Sequence, residues 1–181
     1  MKTIIKNGYI ATVNREDQVY PKGALMVEND RISWVGPMED LVMPAGEDVR
    51  VIDATGHLVI PGLINAHTHS PMTIFRGYAD DIPLKEWLYE YIFPVEARFI
   101  TPKNVRLGTR LAMAEMIRSG TTTFNDMYYY SDHMAEEVDK AGMRAVLTES
   151  LIDFAAPNSP DTQASLAFTR EMIEQYNSHP R

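Results

Sequence analysis

Residues 58–69 read LVIPGLINAHTH, an apolar run that Pro61-Gly62 interrupts and that ends in His67 and His69. Side chains alternate between the two faces of a β-strand, so these two histidines project from the same face. Neutral imidazole is a common ligand of zinc and also suits iron and nickel. The stretch therefore predicts a β-strand whose carboxyl end presents two ligands for one metal ion.

The alternative for the pair is two ordinary histidines that meet by chance. The context favours the metal site, because the pair directly follows a strand-like run and Ser70-Pro71 cannot continue as a helix. The other three histidines lack this context, and we interpret them as surface or loop residues; they are His57, His133 and His179.

The composition limits the possible partners. The 181 residues carry a formal net charge of −8, which argues against a nucleic-acid backbone or an anionic membrane. The sequence has no cysteine, which excludes a disulfide framework and a thiolate metal site. It also has no apolar run of about 18 residues, and its N-terminus is too polar for a signal peptide. We expect a cytoplasmic protein with a small-molecule substrate.

Residues 1–56 consist of short apolar runs separated by turn-forming residues. Glu28-Asn29-Asp30 predicts the turn of a hairpin, and Asn7-Gly8 predicts another turn. Short strands joined by tight turns are typical of an antiparallel sandwich. We therefore expect a small β-sandwich domain over residues 1–56, with no catalytic grouping in it. The predicted strands cover residues 3–5, 9–13, 24–27, 31–35 and 49–53.

From about residue 57 the pattern changes to alternating strands and helices. Thr101 is a suitable N-cap, Pro102 suits the first helical position, and Gly120 suits the end of the same helix. The helical spacing predicts that its packing face consists of Leu107, Leu111, Ala114 and Ile117.

Two more helices continue the alternation. Ser131 is predicted to cap a helix that runs to Gly142, and Ser159-Pro160 is predicted to open the last helix. Strand-like segments at residues 121–126 and 144–149 separate the helices. The order β-α-β-α-β-α predicts a parallel sheet with right-handed crossovers.

A parallel sheet whose first strand ends in two histidines indicates a (β/α)₈ barrel, in which the chemistry lies at the carboxyl ends of the strands. Asp126 and Glu149 occupy the same ends of the next two strands. Each could line a pocket, but structural hydrogen bonds explain them at least as well. The long connection over residues 70–100 is expected to cover the site, or to pack its aromatic residues on the barrel rim.

Five segments of the sequence carry a resemblance to a known family. They are residues 61–69 (PGLINAHTH), 76–77 (RG), 84–88 (LKEWL), 120–126 (GTTTFND) and 142–147 (GMRAVL). With them the chain resembles the amidohydrolase superfamily over essentially its whole length. Within that superfamily it is similar to the deaminases of 5'-methylthioadenosine and S-adenosylhomocysteine and to the related chlorohydrolases.

The resemblance implies an α/β fold: a small β-sandwich domain over residues 1–56 precedes the N-terminal part of a metal-dependent hydrolase (β/α)₈ TIM barrel. Residues 57–181 would form the first three β/α units of that barrel. The implied reaction is hydrolytic deamination of an adenine-type nucleoside, namely methylthioadenosine, S-adenosylhomocysteine or adenosine. In that reaction, attack by metal-bound hydroxide releases ammonia.

The resemblance also implies roles for three residues. His67 and His69 would be metal ligands of one divalent ion, zinc or alternatively iron. Glu96 would bind substrate by accepting hydrogen bonds from the ribose hydroxyls, and its alternative is a surface salt bridge with Arg98. Deaminases that bind the homocysteine tail often have an arginine where Thr148-Glu149-Ser150 stands here. That departure leaves methylthioadenosine, adenosine or another amino-heterocycle open.

The remaining ligands and the proton-transfer residues of the family are expected beyond Arg181. We therefore expect the chain to be the N-terminal portion of a longer enzyme and to be inactive alone. A homo-oligomer, or a complementary chain that completes the barrel, is the expected assembly.

Other functions stay open. One is another amidohydrolase activity, such as guanine or 8-oxoguanine deamination, triazine dechlorination or cyclic amide hydrolysis. Another is a catalytically incomplete fragment with a structural role. Zinc deaminases of the other type need cysteines, which the chain lacks. A serine hydrolase is unsupported, because the sequence has no G-x-S-x-G.

Overall fold

The computed structural model describes residues 2–44 and 48–179, and the chain divides into two units, Met1–Pro61 and Gly62–Arg181. The N-terminal unit is one five-stranded sheet. Its strand order is β3-β2-β1-β4, and β5 also pairs with β1. The strands are β1 (Lys2–Ala11), β2 (Val19–Glu28), β3 (Arg31–Pro37), β4 (Val49–Asp53) and β5 (Leu58–Val59), with a 3₁₀ turn at Met38–Asp40.

This sheet is mixed, which corrects the expectation of antiparallel pairing. β1 and β3 each run antiparallel to β2, but β4 and β5 run parallel to β1. A tight turn after β3 would have placed β4 beside β3. β4 pairs instead with β1, on the side opposite β2, and a longer connection between Pro37 and Val49 makes this possible. The hairpin predicted at Glu28-Asn29-Asp30 is confirmed, with Asn29 at a φ of 57°.

The turn predicted at Asn7-Gly8 is wrong, because β1 continues through both residues. Asn7 has a φ of 62°, and the pairing with β2 shifts register around Gly8. A Cβ atom on Gly8 would lie 2.9 Å from Cγ2 of Val59. The two residues form an irregularity of the β-bulge type, in which glycine allows the close approach of β5.

The second unit contains a parallel sheet with the order β6-β7-β8, which confirms the predicted mixed α/β alternation. The strands are β6 (Leu63–Thr68), β7 (Thr121–Tyr128) and β8 (Arg144–Glu149), and the helices are α1 (Leu84–Glu86), α2 (Phe93–Phe99), α3 (Pro102–Arg118), α4 (Ser131–Ala141) and α5 (Thr162–Tyr176). A 3₁₀ turn follows β6 at Ser70–Phe75, and a π-helical turn joins α1 to α2 at Trp87–Ile92.

Two apolar clusters hold this unit together. One joins α3, α4 and β7 through Met113, Met116, Phe124 and Val138. The other lies nearer the carboxyl ends of the strands and contains Ile100, Val105, Tyr128, Tyr129 and Met134. None of the helices in the described parts of the chain combines the length and the apolar character that a membrane span requires.

Helix α3 starts as predicted but buries a different face. The Thr101 hydroxyl accepts a hydrogen bond from the Asn104 backbone N–H at 3.3 Å, as an N-cap does. The predicted packing residues are exposed, for example Leu107 at 56% and Ile117 at 56%. The buried face consists of Val105, Gly108, Thr109, Ala112, Met113 and Met116. Small residues on this face let the helix approach the backbone of the Ser70–Phe75 turn.

The starts of α4 and α5 also differ from the prediction. Tyr130, with a φ of 56°, precedes α4 as its N-cap, and Ser131 is the first helical residue. The N-cap of α5 is Asp161, whose carboxylate accepts from the Ala164 N–H at 2.9 Å, so Ser159 lies before the helix. In both places the serine side chain has another hydrogen-bond partner: Ser131 Oγ donates to Glu149, and Ser159 Oγ donates to the Asp161 carbonyl.

Candidate active site

The two predicted metal ligands lie together at the carboxyl end of β6. The ring centroids of His67 and His69 are 5.0 Å apart and the rings are nearly perpendicular, at 81°. Nδ1 of His69 lies 2.6 Å from the backbone carbonyl oxygen of Met127. Because a carbonyl only accepts, Nδ1 carries the proton and Nε2 keeps its lone pair. A histidine fixed in this tautomer is suited to metal ligation, so the donor chemistry of the pair fits a divalent metal ion.

The pair stands without a third ligand in the part of the chain that the structure describes, where no group of three or more His, Asp or Glu side chains is arranged to hold a metal ion. Asp126 pairs with Thr68 in the register of β6 and β7, and its side chain is buried. Its Oδ2 accepts a hydrogen bond from the Ser70 backbone N–H at 2.8 Å. Burial raises the pKa of Asp126 to about 6, against the opposing effects of that hydrogen bond and of both histidines.

Glu149, the other carboxylate at a strand end, is also engaged in structural hydrogen bonds. Its Oε2 accepts from the Ser131 N–H at 3.1 Å and from Ser131 Oγ at 2.7 Å. Its Oε1 accepts from Asn158 at 3.0 Å. Burial is the main cause of the raised pKa of Glu149, and these donors oppose it. Glu149 thus fixes the start of α4.

Glu96 lies on α2 with only 4% of its surface exposed. The hydroxyl of Tyr128 donates to its Oε1 at 2.7 Å. Burial raises the pKa of Glu96, whereas hydrogen bonds from the Tyr128 and Tyr129 hydroxyls lower it. Arg98, the alternative salt-bridge partner, instead places its guanidinium carbon 4.9 Å from the ring centroid of Phe99. Residues two apart on a helix do not face each other, which explains the separation.

His69 and Glu96 line the same cavity, whose volume is about 270 Å³. The segment after the histidine pair covers it, as expected for residues 70–100, but with short helices in place of a loop. The apolar part of the wall includes Met72, Trp87, Leu88, Ile92 and Phe93. A larger cavity of about 440 Å³ lies between α4, β8 and α5, and neither His67 nor His69 lines it. We therefore place the candidate site in the smaller cavity.

Three consecutive residues at the end of β7 hold the three parts of the site. The Asp126 carboxylate binds the Ser70 N–H, the Met127 carbonyl binds His69, and the Tyr128 hydroxyl binds Glu96. Met127 and Tyr128 were not predicted as site residues from the sequence. The run Tyr128-Tyr129-Tyr130 at the end of the strand was the available signal.

Comparisons with known proteins place the chain in a family. The model of the family described as "Amidohydrolase family" matches residues 58–179. A 5-methylthioadenosine/S-adenosylhomocysteine deaminase of Syntrophobacter fumaroxidans is 46% identical over 177 residues, which are 98% of this chain and 40% of that protein. A 5'-deoxyadenosine deaminase of Methanococcoides burtonii is 40% identical over 96% of this chain and 38% of its own length.

A solved structure extends the comparison to the fold. It is an adenosine deaminase of Xanthomonas campestris with bound zinc, with a TM-score of 0.91 and 37% identity over 98% of this chain. The match covers 40% of that structure's chain. This chain therefore spans about 40% of the length of the curated relatives that it matches.

Proposed function

The chain belongs to the amidohydrolase family, and from this premise we propose that it forms the N-terminal portion of a hydrolytic deaminase of adenine-type nucleosides. The observation that carries the proposal is the shared cavity, which is lined both by a histidine of the metal pair and by a buried carboxylate. A metal ligand and a hydroxyl acceptor in one small cavity suit a ligand with a reactive ring at one end and a sugar at the other.

We propose the corresponding fold assignment. Residues 57–181 form the first three β/α units of a (β/α)₈ barrel, and residues 1–56 belong to a small β-sandwich domain. The parallel order β6-β7-β8 supports the barrel, as do the exposed apolar side chains on its strands, such as Ile64 at 71% and Val146 at 59%. The remaining strands of a barrel would cover such side chains.

In the proposed enzyme His67 and His69 hold one divalent metal ion, zinc or alternatively iron, together with ligands outside the described residues. When bound, this ion lowers the pKa of water and so supplies a nucleophile at neutral pH. The contribution of the chain itself is orientation. The hydrogen bond to the Met127 carbonyl keeps the proton of His69 on Nδ1 and leaves Nε2 free for the ion.

Glu96 recognises the sugar in this proposal. A carboxylate accepts hydrogen bonds from two adjacent hydroxyls, as ribose presents them. The apolar wall formed by Trp87, Leu88 and Ile92 excludes water, which strengthens such hydrogen bonds. The names of the relatives support methylthioadenosine, S-adenosylhomocysteine, adenosine or 5'-deoxyadenosine as the substrate class. The cytoplasmic location and an oligomer or complementary chain stay predictions.

The test is a substrate screen of the metal-loaded, full-length protein, with metal content measured in parallel by mass spectrometry. The panel contains methylthioadenosine, adenosine, S-adenosylhomocysteine, guanine, a chlorotriazine and a cyclic amide. We expect ammonia release to be fastest with an adenine nucleoside. Turnover restricted to guanine, the triazine or the cyclic amide would reject the proposal in favour of another amidohydrolase activity, and a full-length protein that retains no metal and turns over no substrate would favour a structural role.

A further inference from the structure

Tyr128 joins the two ends of the candidate site. It is the last residue of β7 and only 3% of its surface is exposed. Its hydroxyl donates to Oε1 of Glu96 at 2.7 Å. Its ring centroid lies 6.4 Å from that of His69 and 4.9 Å from that of Tyr129. One side chain thus contacts both the proposed sugar-binding carboxylate and a proposed metal ligand.

We propose that Tyr128 is a positioning residue, whose hydroxyl holds the Glu96 carboxylate at the cavity wall where it accepts from the substrate's ribose hydroxyls. This inference rests on the proposed function. Glu96 and Tyr128 come from different elements, α2 and β7. Their hydrogen bond therefore fixes the distance between the segment over residues 70–100 and β7, whose Met127 carbonyl is hydrogen-bonded to His69. The position of Glu96, which would bind the sugar, is thereby coupled to the position of His69, which would bind the metal ion.

The geometry favours this role over simple core packing. A glutamate side chain rotates about three bonds, and the wall around Glu96 is largely apolar, so few groups compete with the tyrosine hydroxyls for its carboxylate. Tyr128 Oη donates to a carboxylate oxygen of Glu96, the group that would bind the sugar. Loss of the Tyr128 hydroxyl alone would leave the carboxylate with the Tyr129 hydroxyl as its remaining tyrosine donor, while the Tyr128 ring keeps its place in the apolar cluster with Ile100 and Val105.

Tyr130 provides a matched control. Its hydroxyl also makes one hydrogen bond, to the Pro157 carbonyl at 2.9 Å. Tyr130→Phe removes the same atom two positions along the chain, and Tyr130 is not among the residues that line the 270 Å³ cavity. A general effect of losing a tyrosine hydroxyl would therefore appear in both variants, whereas an effect on sugar recognition would appear only in Tyr128→Phe.

The experiment measures kcat and KM of the metal-loaded, full-length protein with adenosine, 2'-deoxyadenosine and 3'-deoxyadenosine. For Tyr128→Phe we expect roughly a tenfold rise in KM for adenosine, the size of one lost hydrogen bond to a charged group, with kcat within about twofold. The preference for adenosine over the deoxy analogues should fall by a similar factor. Tyr130→Phe should keep the wild-type preference.

A double-variant cycle keeps the test independent of folding. Because Tyr128 acts through Glu96, the change from Tyr128 to Phe should leave the sugar preference unaltered in a Glu96→Gln background. Equal losses in Tyr128→Phe and Tyr130→Phe, or an unchanged sugar preference in Tyr128→Phe, would overturn the inference and leave the proposed function intact. A wild-type protein that deaminates adenosine and its deoxy analogues equally well would also overturn the inference and leave the proposed deamination intact, whereas a protein that deaminates no adenine nucleoside would overturn both.

Discussion

Gly108 on α3 lies directly against the backbone of Pro71: a Cβ atom on Gly108 would lie 2.3 Å from the Pro71 carbonyl oxygen. Thr73 reinforces this contact, because its Oγ1 donates to the Gly108 carbonyl at 2.9 Å. Both partners belong to the Ser70–Phe75 turn that follows the histidine pair. Helix α3 therefore sets the path by which the chain leaves the candidate site.

Gly108→Ala should disturb this contact. The added methyl group meets backbone atoms that no rotamer change can move, so we expect a loss of roughly 1–3 kcal/mol in the free energy of unfolding. Displacement of the turn should also lower metal affinity. Urea unfolding and metal content measure the two effects. Ala114→Ser is the control, since it adds one atom at an exposed position of the same helix and should change stability by less than about 0.5 kcal/mol. An unchanged urea midpoint in Gly108→Ala would contradict the packing argument.

Each histidine of the pair should be necessary for metal retention. In the full-length protein we expect His67→Ala and His69→Ala each to lose nearly all bound metal and nearly all turnover, because each removes one of a small number of ligands. Metal analysis after dialysis, with turnover on adenosine, measures this. His57→Ala is the control: Nδ1 of His57 lies 3.0 Å from the Thr55 carbonyl in the N-terminal unit. Full metal content in either variant of the pair would remove that histidine from the ligand set.

Glu96→Ala should act mainly on substrate binding. The variant loses a charged acceptor of ribose hydroxyls, and hydrogen bonds of this type imply a rise in KM of about 10- to 100-fold with a smaller change in kcat. Steady-state kinetics with adenosine measure the changes in KM and kcat separately. Glu90→Ala, which removes an exposed carboxylate from the same covering segment, should leave both constants unchanged. If Glu96→Ala has the wild-type KM, Glu96 does not bind the sugar.

Glu137 should make stability depend on acid pH. It is buried on α4, and hydrogen bonds from Arg110 and Lys140 hold its pKa at about 2, below its usual value of 4.5. A carboxyl with a depressed pKa in the folded state contributes stability above its unfolded pKa, and that stability is lost as pH falls through the folded pKa. We expect Glu137→Gln to flatten the decline in unfolding free energy between about pH 4.5 and pH 2.

Urea unfolding across that pH range tests the expectation. Glu174→Gln, which changes an exposed carboxylate on α5, is the matched control and should leave the decline as in the wild type. If the unfolding free energy depends on pH in the same way in the wild type and in Glu137→Gln, the ion pairs between α3 and α4 contribute nothing to the pH dependence of stability.

Local signals in the sequence were enough to place several elements. Thr101-Pro102 marked the start of α3, and the spacing of His67 and His69 put two imidazoles on one side of a strand end. These signals work because capping and strand alternation depend on neighbours in the chain. The resemblance to amidohydrolases, carried by residues 61–69 in particular, correctly predicted the family.

The packing face of α3 could not be read from hydrophobicity. Leu107 and Ile117 are exposed, whereas Gly108 and Thr109 are buried, because the helix lies close to a backbone turn and small residues permit the approach. Ser131 gave a similar error: its hydroxyl bonds to Glu149 from β8, a partner that the local pattern does not reveal.

The missed site residue, Tyr128, shows the same limit. Its importance comes from a hydrogen bond to Glu96, which lies 32 positions earlier in the chain on a different element. A tyrosine at a strand end is ordinary in sequence, and only the three-dimensional packing of α2 against β7 shows which tyrosine reaches the carboxylate.

The three consecutive residues at the end of β7 limit how this region can change in evolution. Asp126 and Tyr128 use side chains on one face of the strand, and Met127 uses its carbonyl between them. A one-residue insertion or deletion within β7 would turn both side chains to the other face. All three contacts would then be lost together. The three contacts therefore depend on the length of this strand, and a change in length is compatible with them only in the connections on either side.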